Sequence, residues 1–288
     1  INDYDDKNLG LKQIHGKELS YNNYNDLFTG LEILESLKGK NVTVVIKHAN
    51  PCGISVNKIP IISLKHALSC DPLSAFGGVV ACNFKINKKI AIELSKIFLE
   101  VVLAKGFDKE SLKILKRRKN IRIIDISKFK FKNNMYIKSF SGSFLVQNRN
   151  DKIVKMRELK CVTKLKPSKK EITEIELAFN FCKYVKSNAI VLCNNSSTIG
   201  IGSGQPSRVD SCKLAIQKAK KFQPEKIKNS IAASDAFFPF VDGLELLVRA
   251  GVRTIVQPGG SIKDKEIINY ANKAKIRMLF TGTRNFYH

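Results

Sequence analysis

The sequence predicts an α/β fold, because short β-branched apolar runs alternate with longer segments that carry one apolar face. The chain has 288 residues, 43% of them hydrophobic, which is enough to bury a sizeable core in about two domains. Both halves also contain the same succession of features: a strand, a polar turn, a helix, and then a glycine- or phenylalanine-rich loop next to a strand. At the level of pattern alone, this outline indicates a duplicated α/β unit, with residues 1–163 as the first unit and 164–288 as the second.

In the first half, apolar residues recur every three or four positions in the helical segments and form continuous runs in the strands. Helices are predicted at 25–37, 61–70, 88–98 and 111–117, and strands at 42–46, 79–82, 100–104, 121–124 and 144–147. The polar residues 1–15 and the basic segment 126–139 are expected to be irregular.

The second half begins after a linker at 164–170 that contains Pro167. Helices are predicted at 171–185, 209–222, 243–250 and 263–274, and strands at 189–193, 198–201, 231–233, 254–256 and 278–280. Ser261 precedes the last helix, and we expect its hydroxyl to cap that helix.

A cation and an imidazole, Lys47 and His48, follow the β-branched run at 42–46. Pro51 and Gly53 are predicted to force a turn there, which places both side chains at the end of a buried strand, where active sites of α/β proteins gather. Histidine moves protons near neutral pH, and a neighbouring lysine can stabilise an oxyanion or hold an anion. The alternative is that Lys47 is solvated and His48 caps a turn.

Three later corners are candidate binding loops. Gly77 and Gly78 precede a strand, and they form either a tight turn or a place where a ligand approaches the backbone. The glycines at 202 and 204 lead through Arg208 into a helix, a pattern that suits an anion. The three phenylalanines within 237–240 either pack in the core or wall a pocket for a flat ring.

Composition narrows the classes of partner. The net charge is +25, but the lysines are spread along the chain without interleaved aromatics, so we expect small anionic substrates and no nucleic acid. No apolar run reaches the length of a membrane span. The seven cysteines form no C-x-x-C pair and have apolar neighbours, which predicts reduced, mostly buried thiols in a cytoplasmic protein. Cys52 is followed at position 55 by serine, and no His-x-Glu precedes it, so we expect no zinc site.

Eight motifs taken together resemble the AICAR transformylase domain of the AICAR formyltransferase/IMP cyclohydrolase (PurH) family. They are GKELSYNN at 16–23, KHANPCG at 47–53, DPLSAFGG at 71–78, KSNAI at 186–190, IGIGSGQPSR at 199–208, SDAFFPF at 234–240, PGGSI at 258–262 and RNF at 284–286. Each motif alone is weak, but the eight follow the family's order. The resemblance implies formyl transfer from 10-formyltetrahydrofolate to the 5-amino group of AICAR. It also implies two cytidine-deaminase-like units in tandem without zinc, and a homodimer with shared active sites.

The resemblance also implies roles for individual residues. His48 is the implied proton acceptor and Lys47 the implied stabiliser of the transition state. The implied AICAR site contains Gly77, Glu100, Asn188, Arg208 and Arg284. The implied folate site contains Val209, Phe237, Asp242, Ser261 and Ile262. A bound monovalent cation is left open.

Family members carry an IMP cyclohydrolase domain, and an upstream Arg-Tyr-Gly-x-Asn-Pro-His-Gln segment that contacts AICAR. Neither is present here, and the chain begins with Ile1, so we expect it to be a piece of a longer protein. Two rival hypotheses remain. One is a non-catalytic remnant that binds nucleotide, and the other is a basic nucleic-acid-binding protein, against which the dispersed charge argues.

Overall fold

Twelve strands form one mixed β-sheet with helices on both faces, in a computed structural model that describes residues 9–37, 39–131 and 135–288. The strands of the described residues are β1 (Lys12–His15), β2 (Val42–Lys47), β3 (Asn50–Val56), β4 (Gly78–Cys82), β5 (Leu99–Ala104), β6 (Arg122–Asp125), β7 (Met135–Phe140), β8 (Ser143–Asn148), β9 (Lys160–Cys161), β10 (Ile190–Asn194), β11 (Ser197–Gly202), β12 (Ile231–Ser234), β13 (Thr254–Gln257) and β14 (Arg277–Phe280). The predicted α/β class is confirmed.

The α-helices follow the strands in chain order. They are α1 (Tyr21–Ser36), α2 (Pro60–Cys70), α3 (Pro72–Ala75), α4 (Lys88–Ser95), α5 (Lys109–Leu115), α6 (Lys169–Cys182), α7 (Arg208–Phe222), α8 (Asp242–Ala250) and α9 (Asp264–Lys273). Short 3-10 helices lie at Met156–Glu158 and Pro224–Lys226. Within the described residues, no helix combines the length and the apolar character that a membrane crossing requires.

The sheet has the same strand arrangement on both sides of its centre. From the central pair β3 and β11 outward, one half runs β3-β2-β4-β5-β6-β1 and the other runs β11-β10-β12-β13-β14-β9. In both halves an antiparallel hairpin is followed by an antiparallel step, two parallel steps and an antiparallel edge strand. The halves join where Ser55 pairs with Ser197, and their hydroxyl oxygens lie 2.7 Å apart.

Side chains of each strand alternate between two faces, so the core has two layers. On one face, helices α1 and α6 share a single cluster that spans both halves and includes Leu27, Phe179 and Phe181. On the other face each half has its own cluster, centred on α2 and α4 in the first half and on α7 and α8 in the second. The sheet is therefore buried on both sides, which explains the nearly continuous apolar runs of its strands.

The predicted helices and strands between residues 25 and 280 are confirmed, although their ends shift by up to four residues. Helix α1 begins earlier because Ser20 caps it: its hydroxyl accepts from the Asn23 N–H, and the Asn23 side chain accepts from the Ser20 N–H. Ser261 does not cap the last helix as expected. Its hydroxyl accepts from the Lys263 N–H at 3.1 Å, and α9 begins only at Asp264.

The turn predicted at Pro51 and Gly53 is wrong, because both residues lie inside β3. Pro51 is tolerated there since the pairing shifts by one residue beside it: Ile46 pairs with Pro51 while Val45 pairs with Gly53. Glycine is required at 53 because a Cβ there would collide with the carbonyl oxygen of Ala67. The bulge and this close approach explain the two turn-like residues within a strand.

Two segments expected to be irregular contain strands. Residues 12–15 form the edge strand β1, while 1–8 lie outside the described residues. Residues 135–139 of the basic segment belong to β7, which pairs with β8 in a separate two-stranded hairpin, and 132–134 lie outside the described residues. All seven cysteine thiols are free: five are buried (Cys70, Cys82, Cys182, Cys193 and Cys212), and Cys52 and Cys161 are partly buried.

Candidate active site

The candidate residues gather along one end of the twelve-stranded sheet. The carboxyl end of β2 and the amino ends of β4, β5 and β6 meet there in the first half. In the second half, the amino end of β10 and the carboxyl ends of β11, β12, β13 and β14 reach the same end. Residues that are distant in sequence therefore lie together at one end of the strands, as in other α/β sheets.

Lys47 closes a two-residue hairpin turn formed by His48 and Ala49, since it pairs directly with Asn50. Both turn residues have positive φ, +56° for His48 and +53° for Ala49. Turns of this type usually contain Asn-Gly, because other side chains are strained in the left-handed region. The side chain of His48 is exposed, and strain held at an exposed histidine is typical of a functional site.

A buried carboxylate holds this turn in place. Asp26 of α1 accepts a hydrogen bond from the backbone N–H of Ala49 at 2.5 Å. Burial raises the pKa of Asp26 above its ordinary value, and the N–H groups of Ala49 and His48 oppose this rise by bonding to the carboxylate. Asp26 therefore fixes the backbone from which His48 projects.

The Lys47 ammonium is anchored at the second candidate loop. Its Nζ donates to the carbonyl oxygen of Phe76 at 2.7 Å. The next residue, Gly77, has φ +70°, a conformation that favours glycine, and its N–H donates to Phe98 at 2.8 Å. Lys47, His48 and Gly77 are thus brought together as the resemblance implied.

Glu100 lies beside this group, at the start of β5. Its Oε2 accepts from Asn23 Nδ2 at 2.8 Å and lies 3.7 Å from a guanidinium nitrogen of Arg122. Because Glu100 also raises the pKa of Asp26 by its charge, the two carboxylates are near neighbours. We call Lys47, His48, Gly77, Glu100 and Asp26 the first-half cluster.

In the second half, Arg208 is the centre of a polar network. Its guanidinium donates to Asn188 Oδ1 at 2.8 Å, to Ser234 Oγ at 2.9 Å and to a carboxylate oxygen of Asp235. Asp235 is fully buried and also accepts from Ser187 Oγ at 2.6 Å. A buried carboxylate needs such partners, so Arg208 is held firmly against the strand ends. Three bonds leave two of its five N–H donors for a ligand.

A cavity of about 460 Å³ opens beside Arg208. Six predicted residues line it: Asn188, Arg208, Val209, Phe237, Asp242 and Arg284. The Arg284 guanidinium lies 4.9 Å from the centre of the Phe237 ring. Both interpretations of the phenylalanines hold in part, because Phe238 is buried in the core whereas Phe237 and Phe240 face this cavity. We call these six residues the second-half cluster.

Ser261 and Ile262 are not brought to this cavity. Ile262 is fully exposed and lines a different depression of about 550 Å³ with Val241. Val241 and Asp242 are consecutive, so the two depressions flank the start of α8. The two predicted folate residues therefore lie on the neighbouring surface.

The two clusters occupy the same sheet end but do not touch. Four strand-to-strand steps separate β2 from β12, which amounts to about 19 Å at the usual strand spacing. Asn50 bridges part of this distance: its side chain accepts from the Lys186 N–H at 3.1 Å and donates to Ser203 Oγ at 3.0 Å. The two clusters therefore lie side by side along one end of the sheet, with Asn50 between them.

Four residues that the motifs do not predict as site residues lie in or beside the clusters: Asn23, Asp26, Ser187 and Asp235. Asn23 and Asp235 belong to quoted motifs, and Asp26 interrupts the apolar face of α1. A charged residue within a buried helical stripe is the signal that was available. Among the described residues, no group of three or more His, Cys, Asp or Glu side chains is placed to hold a metal ion.

Comparisons with known proteins agree with these motifs. A model of the AICARFT/IMPCHase bienzyme family matches residues 2–218. The bifunctional purine biosynthesis protein PurH of Acetivibrio thermocellus is 45% identical over 281 residues, covering 96% of this chain and 54% of the relative. The PurH of Aquifex aeolicus is 42% identical over 275 residues, covering 96% of this chain and 53% of the relative. The chain thus spans about half the length of the curated relatives it matches.

Proposed function

The chain belongs to the AICARFT/IMPCHase bienzyme family, and on this premise we propose that it is a folate-dependent formyltransferase. It transfers a formyl group from 10-formyltetrahydrofolate to the 5-amino group of AICAR, a step of purine biosynthesis. The observation that carries the proposal is the strained turn that presents His48 and Lys47 at the sheet end, beside Gly77 and Glu100.

His48 acts as the general base in the proposed reaction. The amino group of AICAR is an aromatic amine and a poor nucleophile until its proton leaves. His48 is exposed on a rigid turn, so its ring can accept that proton while the amine nitrogen bonds to the formyl carbon. A positioned base of this kind contributes about 10²- to 10⁴-fold to the rate.

Lys47 stabilises the charge that develops on the formyl oxygen. Attack by the amine gives a tetrahedral intermediate whose former carbonyl oxygen is an oxyanion. The Lys47 ammonium is fixed by Phe76 and has further N–H donors for this oxygen. The intermediate collapses when the bond between the formyl carbon and folate N10 breaks and that nitrogen takes up a proton.

The remaining predicted residues bind the two substrates in this proposal. Gly77 and Glu100 contact AICAR beside His48, while Asn188, Arg208 and Arg284 bind it from the second-half cluster. Arg284 is the exposed cation of that cluster and suits a phosphate group. For folate, Phe237 offers a ring face to the flat pterin, with Val209 and Asp242 around it and Ser261 and Ile262 on the adjoining surface.

We further propose a homodimer in which each site combines the first-half cluster of one copy with the second-half cluster of the other. The separation of about 19 Å between β2 and β12 supports this, since a second copy can bring the missing cluster nearer. The repeated strand order supports two tandem units of the cytidine-deaminase-like kind. The proposed units are 1–163 and 164–288, but the strand β9 at Lys160–Cys161 pairs with β14 and so joins the second half of the sheet. The seven free thiols fit a cytoplasmic location.

The direct test is turnover by the protein expressed from its complete reading frame. We expect formyl-AICAR to form steadily, and only when AICAR and 10-formyltetrahydrofolate are both present. Binding of AICAR without turnover would favour the non-catalytic remnant instead. Salt-sensitive binding of DNA or RNA at low micromolar protein, without turnover, would favour the nucleic-acid hypothesis.

A further inference from the structure

The end of the sheet opposite the two clusters repeats the backbone of the candidate active site. Strands β2 and β10 hold matching positions in the two halves, but they run in opposite directions, because each step from β2 through β3 and β11 to β10 is antiparallel. The carboxyl end of β10 therefore lies at the far end of the sheet, away from both clusters. The turn that follows β10 is the counterpart of the turn that carries His48.

The turn after β10 has the same backbone geometry as the turn after β2. Asn195 and Ser196 both have positive φ, +49° and +56°, like the two residues of the earlier turn. Asn194 precedes them and takes the place of Lys47. Its Nδ2 donates to the carbonyl oxygen of Lys226 at 2.7 Å, in the segment before β12, just as the Lys47 ammonium donates to a carbonyl oxygen in the segment before β4. The repeat therefore places a second corner of this geometry at the far end, with different side chains.

A cavity of about 790 Å³ opens at this corner, and we call it the far-end cavity. It is lined by the turn after β10, by residues 56–59 at the end of β3 and by one face of α6. The Val56 N–H donates to the carbonyl oxygen of Ser196 at 3.0 Å, which joins the first two of these segments. Residues 57–59 lead into α2 as residues 203–207 lead into α7, so both arms of the active end have counterparts here. The volume lies within the range of about 300–1,000 Å³ that is usual for small-molecule sites.

Unpaired ammonium groups line the far-end cavity, among them those of Lys58 and Lys170. Within residues 9–37, 39–131 and 135–288, the side chains of these two lysines form no hydrogen bond and no ion pair. Glu174 is the only acidic residue among the described residues of the lining, and burial raises its pKa while the charge of Lys170 opposes the rise. The positive charge at the cavity is thus largely uncompensated, which favours an anionic ligand.

Unpaired lysines alone do not distinguish this place, because the chain carries 50 basic and 25 acidic residues. A depression of about 410 Å³ on α7 and α8 offers a comparison. There Lys213 lies 2.9 Å from Asp210 and Arg249 lies 3.5 Å from Glu245, so two of its cations are already paired. The far-end cavity is larger, its two lysines are unpaired, and it lies at the repeated corner of the sheet.

We propose that the far-end cavity binds a small phosphate ester. Lys58 follows β3 and Lys170 lies on α6, so two ammonium groups from separate segments are available to the phosphate. Asn195 is exposed on the turn after β10 and adds an amide donor. Ile59 and Leu177 supply an apolar part of the lining, which suits the carbon skeleton of an ester better than free inorganic phosphate. This site takes no part in the proposed formyl transfer, because it lies at the opposite end of the sheet.

The test is affinity labelling of the protein expressed from its complete reading frame, with pyridoxal 5′-phosphate as the probe. The aldehyde of this phosphate ester forms an imine with a lysine amine and releases water, and borohydride reduces the imine to a stable amine. Peptide mass mapping then measures the label at each lysine. We expect Lys58 and Lys170 to react about 10-fold or more faster than Lys220 of the comparison depression, because the bound phosphate holds the aldehyde beside them. Pyridoxal, which lacks the phosphate, should show no such preference.

A variant and a competitor show whether the phosphate lies between the two lysines. Lys58→Gln should lower the labelling rate of Lys170 by about 10-fold, since one of the two cations is lost, whereas the matched control Lys213→Gln should leave it unchanged. Inorganic phosphate should slow the labelling of Lys170 in the wild type and leave Lys220 unaffected. Equal labelling of the three lysines, an equal preference with pyridoxal, or labelling of Lys170 that neither Lys58→Gln nor phosphate lowers would overturn the inference. The assay contains neither AICAR nor folate, so its outcome is independent of the proposed function.

Discussion

Replacing His48 by alanine is expected to lower kcat for formyl transfer by about 10²- to 10⁴-fold, because the change removes the proposed general base for the AICAR amine. The fold should remain, since the His48 side chain is exposed and packs against no core cluster. Alanine already occupies the next position of the same turn at φ +53°, so the backbone accepts it. Steady-state kinetics and the Tm of the variant measure both effects.

His66→Ala is the matched control for this prediction. His66 lies at the junction of the two halves, where Nδ1 is 3.3 Å from Ser197 Oγ, and it contacts neither cluster. Its removal should leave kcat near the wild-type value. If a folded His48→Ala protein turns over AICAR as fast as the wild type, His48 is not the base.

Replacing Lys47 by methionine is expected to lower kcat by about 10²- to 10³-fold, with a smaller change in KM, because the proposed role of the charge is to stabilise the oxyanion and not the bound substrate. Methionine keeps the length of the side chain and fills the same half-buried space along β2. Steady-state kinetics that vary each substrate separately give the two constants.

Lys40→Met removes an exposed ammonium from the opposite end of the sheet and serves as the control. It should change neither constant. A Lys47→Met protein that shows a raised KM and an unchanged kcat would assign Lys47 to binding of the ground state instead.

The sequence was sufficient for features that depend on local pattern. The β-branched run before Lys47 predicts a buried strand, and the structure confirms that Lys47 and His48 lie at the end of this strand. The location of the turn was missed, because it depends on contacts between distant residues. Pro51 and Gly53 look like a turn in isolation, and only the carbonyl of Ala67 and the shifted pairing of Ile46 explain them inside a strand.

The polar networks of the site were likewise beyond local pattern. Arg208 was predicted as an anion-binding residue, but its contact with Asp235 joins positions 27 residues apart and depends on how α7 lies against β12. The Ala49–Asp26 bond similarly depends on the packing of α1 against β2. Such contacts depend on the tertiary fold. The motifs contain Arg208, Asp235 and Ala49, but they do not show which residues contact each other, and Asp26 lies outside them.

Subunit mixing tests most directly whether one site combines the Lys47–His48 turn of one copy with the second-half cluster of another. Lys47→Met supplies the first defect. Arg284→Ala supplies the second in preference to a change at Arg208, because removing Arg208 would strand the buried carboxylate of Asp235. Each variant alone should be nearly inactive when assayed at AICAR concentrations below the wild-type KM.

When the two variants are mixed in equal amounts under conditions that exchange subunits, about half of the dimers are heterodimers. Each heterodimer then holds one site with both defects and one with neither. Formyl-AICAR formation should therefore recover to about a quarter of the wild-type rate on random pairing of subunits. If a tag verifies the exchange and no activity returns, both clusters act within one chain and the shared site is contradicted.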